Sequence, residues 1–140
     1  MKGDLYDAAI VAAARAKVGA GRLEAPTRSV TCDNPLCGDR VTLELGLDGH
    51  RLDAVAHKTR GCLLTQAAAS VLAEHAPGHE LAELRGLHER VRAMLRDGAP
   101  PPWPALAMFQ PVRAVPSRFE CVLLPFRALA EAIGEEVPER

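Results

Sequence analysis

The residues with most chemistry to offer in this 140-residue chain are four cysteines, Cys32, Cys37, Cys62 and Cys121. They form no CxxC pair, so the spacing of a zinc ribbon is absent. Their neighbours are more informative. Cys37 lies in Asn34-Pro35-Leu36-Cys37-Gly38-Asp39, where Pro35 and Gly38 fix a tight turn. Cys37 and Asp39 are two apart, so both side chains can leave one side of an extended backbone. A thiolate with a carboxylate is a mixed soft and hard donor pair that suits zinc or iron, and the carboxylate is the more exchangeable ligand. Cys62 follows Gly61 where a predicted strand gives way to a helix. The free N–H groups and dipole at a helix start favour a thiolate, hence a ligand or nucleophile. Cys121 follows Pro116-Ser117-Arg118 at the start of the last helical segment, with the same benefit and a nearby cation.

Plainer readings stand beside these. A single cysteine in an apolar stretch is usually a small buried hydrophobe. That reading applies best to Cys121, flanked by Phe119 and Val122, and least to the Cys37–Asp39 turn, a poor place to hide a thiol. Cys32 reads as a strand-end packing residue, with a spare ligand or an oxidation site as the alternative. Of the five histidines, His57 is the strongest ligand candidate, on a strand that ends near Cys62. His50 falls in a hairpin turn, and His75, His79 and His88 are expected on solvated helix faces. Trp103, Leu106, Met108 and Phe109 are expected to cover a helix end. No Ser/His/Asp pattern, nucleophile elbow or phosphate loop is present.

The elements that must position these residues are readable from pattern. Residues 4–17 predict a helix capped by Asp4, with Leu5, Ala9, Ile10 and Ala13 on one face. Gly19 and Gly21 end it, and a connector with Pro26 follows. Arg28–Thr31, Arg40–Leu47 and Leu52–Thr59 predict strands. The middle one alternates cleanly, with Val41, Leu43, Leu45 and Leu47 on one face, and Asp48-Gly49 marks a hairpin. From Cys62 the period turns helical until Pro77-Gly78. A further helical stretch over 79–97 is expected to break near Gly86. Residues 98–104, GAPPPWP, form a loop, a short turn is expected over 104–109, and 117–134 predicts a final helix interrupted by Pro125. The sum is an α+β fold: a three-stranded antiparallel sheet packed against helices, in a single domain over 1–140.

Bulk properties narrow the function. Hydrophobic residues make up 48% and charged residues 25% of the chain, a globular balance that forms a core without disulfides. Net charge is −1, with no basic excess to suggest nucleic acid. Neither a signal peptide nor an apolar run long enough for a membrane span is visible, so a cytoplasmic location is expected. In a reducing compartment cysteines in such surroundings are more often metal ligands or reactive thiols than disulfide partners.

Three pieces, N-P-L-C-G-D at 34–39, R-G-C-L-L-T-Q-A-A-A-S at 60–70 and P-S-R-F-E-C-V-L-L at 116–124, resemble the U-type iron–sulfur scaffold family of IscU, SufU and the NifU amino-terminal domain. The resemblance implies one metal site on Cys37, Asp39, Cys62 and Cys121. Glu120 stands where IscU-like members carry histidine, and 58 residues separate Cys62 from Cys121, which is more like SufU. The implied cofactor is zinc, iron or a [2Fe–2S] cluster. The implied partners are a SufS-like cysteine desulfurase and apo iron–sulfur or downstream assembly proteins. The implied activity is that of a scaffold or of a sulfur acceptor; Cys37, in the loop expected to be the most mobile of the three, is the expected acceptor thiol. A zinc-dependent sulfurtransferase without its own cluster is the alternative, and a binding module with a vestigial site is a third reading.

Overall fold

Alternation along one strand sets the architecture. In the computed structural model, which describes residues 7–137, β1 (Arg28–Asn34), β2 (Asp39–Asp48) and β3 (Arg51–Arg60) form an antiparallel sheet in the order β1-β2-β3. Val41, Leu43 and Leu45 of β2 point to one side and are fully buried. Burying each such side chain contributes roughly 1.5–3 kcal/mol. The alternation ends where the register of β2 against β3 shifts between Gly46 and Leu47, which leaves Leu47 half-buried. Gly49 takes φ +62° in the hairpin turn, a conformation glycine adopts without steric cost.

Helices cover the side that β2 makes apolar. α2 (Leu63–His75) packs on β3, and α5 (Phe119–Ala132) packs on β1 and β2. α1 (Ala8–Ala16) lies against α2. Its N-cap is Asp7, whose carboxylate accepts from the Ile10 N–H; the expected cap Asp4 and face residue Leu5 lie outside the described residues. Ile10 and Ala14 form the buried stripe, whereas Ala9 is exposed. α3 (Leu81–Leu84) and α4 (Leu87–Asp97) are separated at Gly86, φ +79°, where the break was expected. α4 rests on α5.

Four expectations need revision. β1 runs three residues past Thr31, to Asn34, because Cys32 and Asn34 continue its buried side. The turn expected over 104–109 is a longer 3-10 segment, Pro104–Ala114, that buries Leu106, Phe109 and Val112. His88 is buried rather than solvated, since its place in α4 turns toward the core. Pro125 sits inside α5 without ending it. The helix tolerates it because Cys121–Ala130 are all buried, so packing on every side holds the backbone where one N–H is missing. That missing N–H is the one that the Cys121 carbonyl, four residues earlier, would accept.

Candidate metal centre

The turn between β1 and β2 is built on Asn34. Its buried side-chain oxygen accepts from the Leu36 N–H at 3.1 Å, and its carbonyl accepts from Gly38 N–H at 2.8 Å and Cys37 N–H at 3.3 Å. Gly38 takes φ +74° to bring the chain back into β2. The result presents Cys37 to solvent, beside a Leu36 that is 85% exposed, and starts β2 with Asp39 turned inward.

Asp39 is 4% exposed and accepts from the buried Thr65 hydroxyl at 2.7 Å. Its approach requires glycine at position 61. A Cβ there would fall 2.8 Å from the Asp39 Cγ and Oδ1, closer than carbon atoms pack. The Gly61 carbonyl is in turn held by the Gln66 amide at 3.1 Å. Cys62 is the N-cap of α2, half-buried, with its sulfur 3.4 Å from the Thr65 hydroxyl. Cys121 is the third residue of α5 and is 1% exposed. Both thiols thus sit at helix starts, as the sequence predicts.

These segments converge. The ligand atoms of Cys37, Asp39 and Cys121 all lie within 4.8 Å of one another. The Cys62 sulfur falls outside that tight trio but interacts electrostatically with Cys121. Interaction with Cys121, helped by the Thr65 hydroxyl and backbone N–H, pulls the Cys62 thiol down to about 5, against burial and the Asp39 charge. The same interaction pushes Cys121 up, and burial and the neighbouring negative groups push it further. Cys37 is also raised, chiefly by desolvation; the Asp39 backbone N–H pulls it down, and the Asp39 side chain pushes it up again. The cause is shared: a carboxylate and three thiols crowd together, and no basic side chain contributes to any of the three shifts. A cation would relieve that crowding of negative groups. The set itself, sulfurs with one oxygen, fits zinc or iron.

Comparison with known proteins bears on the same residues. The sequence model of the NifU-like N-terminal domain matches residues 8–108, most of the chain. The chain belongs to the NifU-like N-terminal domain family. Among relatives, it is 27% identical over 134 residues to an iron–sulfur cluster assembly scaffold protein IscU of Thermotoga maritima, covering 92% of each chain. It is 24% identical over 110 residues to the zinc-dependent sulfurtransferase SufU of Bacillus subtilis, covering 76% of this chain and 75% of that one. Two crystal structures share the fold. The N-terminal NifU-like protein of Brucella abortus superposes with a TM-score of 0.84 at 31% identity, covering 92% of each chain. A scaffold protein of the SUF system from Fervidobacterium islandicum AW-1 gives 0.86 at 26% identity, covering 95% of this chain and 99% of that one. The family match stops short of Cys121, so it is the folded chain that brings the third cysteine to the site.

The other candidates lie elsewhere. Cys32 is buried in the core opposite Val41, in the packing role expected of it. His57 is buried, with Nε2–H donating to the Val18 carbonyl and Nδ1 accepting from the Thr59 hydroxyl, both at 2.8 Å, so it pins the segment after α1 to β3. His75 and His79 pack on Trp103, which meets Phe126 at 6.1 Å. Asn34 and Thr65 escaped notice in the sequence. For Thr65 a signal existed: a hydroxyl in the first turn of a helix, three residues after a cysteine.

Proposed function

We propose that this chain holds a zinc or iron ion on Cys37, Asp39, Cys62 and Cys121 and serves iron–sulfur cluster assembly by accepting sulfur from a cysteine desulfurase. The observation that carries this reading is the meeting of the Cys37, Asp39 and Cys121 ligand atoms within 4.8 Å, with the free thiol of Cys62 beside them at the start of α2. When bound, the metal would keep the thiols deprotonated against the crowding that otherwise raises Cys37 and Cys121.

The chain's own residues divide the work. Cys121 is buried and Cys62 half-buried, so a large partner reaches Cys37 first. The Cys37 sulfur attacks the outer sulfur of the partner's cysteine persulfide. The donor S–S bond breaks, the donor cysteine leaves as thiolate, and a persulfide forms on Cys37. Thr65 and the space at Gly61 hold Asp39 in line. Asp39 is the hard donor of the set and the one most readily exchanged.

A second reading, a scaffold that builds a [2Fe–2S] unit and passes it to apo-proteins, has support in the likeness to the Thermotoga maritima protein, which is named as a scaffold. Protein purified anaerobically and incubated with the desulfurase, cysteine and iron separates the two. Tightly held zinc, faster desulfurase turnover and a persulfide on Cys37 are expected. A transferable cluster chromophore would favour the scaffold. No zinc or iron under reducing conditions, with no loss on Cys37→Ser, would mark the site as vestigial and refute both.

A further inference from the structure

One face of the sheet carries no helix among the described residues, and its charges are sorted. Along β2 and β3 the residues pointing away from α2 and α5 include Arg40, Thr42, Lys58 and Arg60. Arg40 and Arg60 stand directly opposite each other across the two strands, with Thr42 opposite Lys58 on the next rung of that face. Like charges placed opposite in an antiparallel pair destabilise it. Arg40 is offset by Asp33 at 2.6 Å, but Lys58 and Arg60 have no ion pair among the described residues. The acid that β2 carries on this same face, Glu44, is engaged by the Leu23 N–H at 2.7 Å and by Arg22 at 3.7 Å. The acids at the far end of the sheet, Asp48 and Asp53, flank Arg51. In a chain of net charge −1 this is segregation, not excess.

The positive end is also the end that bears the site. Arg40 follows Asp39 directly, and Arg60 precedes Cys62 by two residues. Hollows of about 260 and 200 Å³ run along the same face and share Thr42 and Lys58.

We propose that this open, basic face of the sheet docks an acidic surface of the protein that delivers sulfur to Cys37. The inference rests on the sulfur-acceptor reading and names the surface through which that partner is recognised. The cations stand on two rungs of one face, roughly 7 Å apart along the strand, around the rim of one open hollow. An open rim of that width beside the site suits the carboxylates of a protein surface, and a small anion seated in the hollow is the alternative that the test separates. Nucleic acid is disfavoured, since its affinity is built up from many phosphate contacts and this face offers few cations, one of them offset by Asp33. Rim charges of this kind act on encounter and orientation, so the effect falls on half-saturation and salt dependence, not on the chemical step.

The test is the stimulation of the cognate cysteine desulfurase by the zinc-loaded chain. The double substitution Lys58→Glu with Arg60→Glu is expected to raise the half-saturating concentration about tenfold, with saturating turnover and zinc content unchanged. Added salt is expected to weaken the wild type and not the variant. The milder pair Lys58→Ala with Arg60→Ala should shift half-saturation the same way by less, and Arg96→Glu on α4 should leave it alone. An unchanged half-saturation in a folded, zinc-loaded double variant overturns the docking surface and leaves the sulfur-acceptor reading intact. The same follows if inorganic phosphate shifts the amide resonances around Lys58 while the variant still stimulates normally, which would mark a small-anion site. If the wild type neither stimulates the desulfurase nor gains a persulfide, the functional reading fails and the docking surface fails with it.

Discussion

A single methyl group added at Gly61 strikes the centre more directly than any change to its rim. The Cβ would meet the Asp39 carboxylate at 2.8 Å, and Asp39 is pinned on its other oxygen by Thr65. Gly61→Ala is therefore expected to lower zinc affinity at least about tenfold in a folded protein, as losses of ligand-orienting contacts do. Competition with a chromophoric chelator measures it, and an unchanged affinity would remove Asp39 from the ligand set. Thr65→Val keeps the shape of the side chain and removes its hydroxyl. The buried carboxylate loses a donor, and the metal-free protein should lose about 1–3 kcal/mol in urea unfolding. Asp39→Ala should speed zinc release, and release kinetics equal to wild type would refute its role as the exchangeable ligand. Cys37 and Asp39 were legible in the sequence because a turn announces itself through Pro35 and Gly38. Thr65 offers in sequence only a hydroxyl at a helix start; its partner is a carboxylate 26 residues away that only the fold brings to it.

Among elements, the strands were the most readable, because the β2 alternation encodes both the sheet and its buried side. The extra length of β1 was hidden, since Asn34 is a turn former by composition and becomes a strand end only through its pairing with Asp39. Pro125 predicts an interruption of the helix, and local sequence gives no sign that ten consecutive buried residues hold the helix together around it. Pro125→Ala would restore an N–H for the Cys121 carbonyl and should stabilise the fold by about 1 kcal/mol, less than the full helix penalty because ring packing is lost. A loss of stability instead would show that the ring's packing outweighs the bond. The junction of α1 with β3 carries its own pH dependence. Burial holds the His57 imidazole below its usual 6.5, opposed by its bond to the Val18 carbonyl. The unfolded chain therefore binds the proton first. Stability from this group is complete above about pH 6.5 and declines as pH falls through the window beneath it. Urea unfolding at pH 7.5 and 5.5 should show a steeper acid loss in the wild type than in His57→Gln; equal slopes would contradict the assignment.

For the molecule as a whole, the α+β class could be written down from pattern, and the recurrence of three short motifs pointed to the family. The site's convergence could not be so derived. It joins a turn, the start of α2 and the start of α5, and periodicity in one segment says nothing about its distance from another. A metal bound only by the folded chain adds stability by mass action, about 4 kcal/mol at a thousandfold excess over its dissociation constant. Chelation should therefore lower the melting temperature of the wild type and leave Cys37→Ser nearly unmoved.

The clamping of α5 has a mechanical consequence. Its far end is tied down by Arg28, which donates to the Ala132 carbonyl at 2.8 Å, and by Arg85, which donates to that of Ile133 at 3.4 Å. Buried along its length and moored at its tail, the helix acts as a fixed post, and the Cys121 sulfur travels with nothing. Under the proposed metal-binding role, the difference in bulk between a lone ion and a two-iron unit falls to the exposed turn across the gap, Pro35 to Gly38. Amide exchange on loading should slow at 36–38 and stay level at 121–124, as a gate moves while its post stands still.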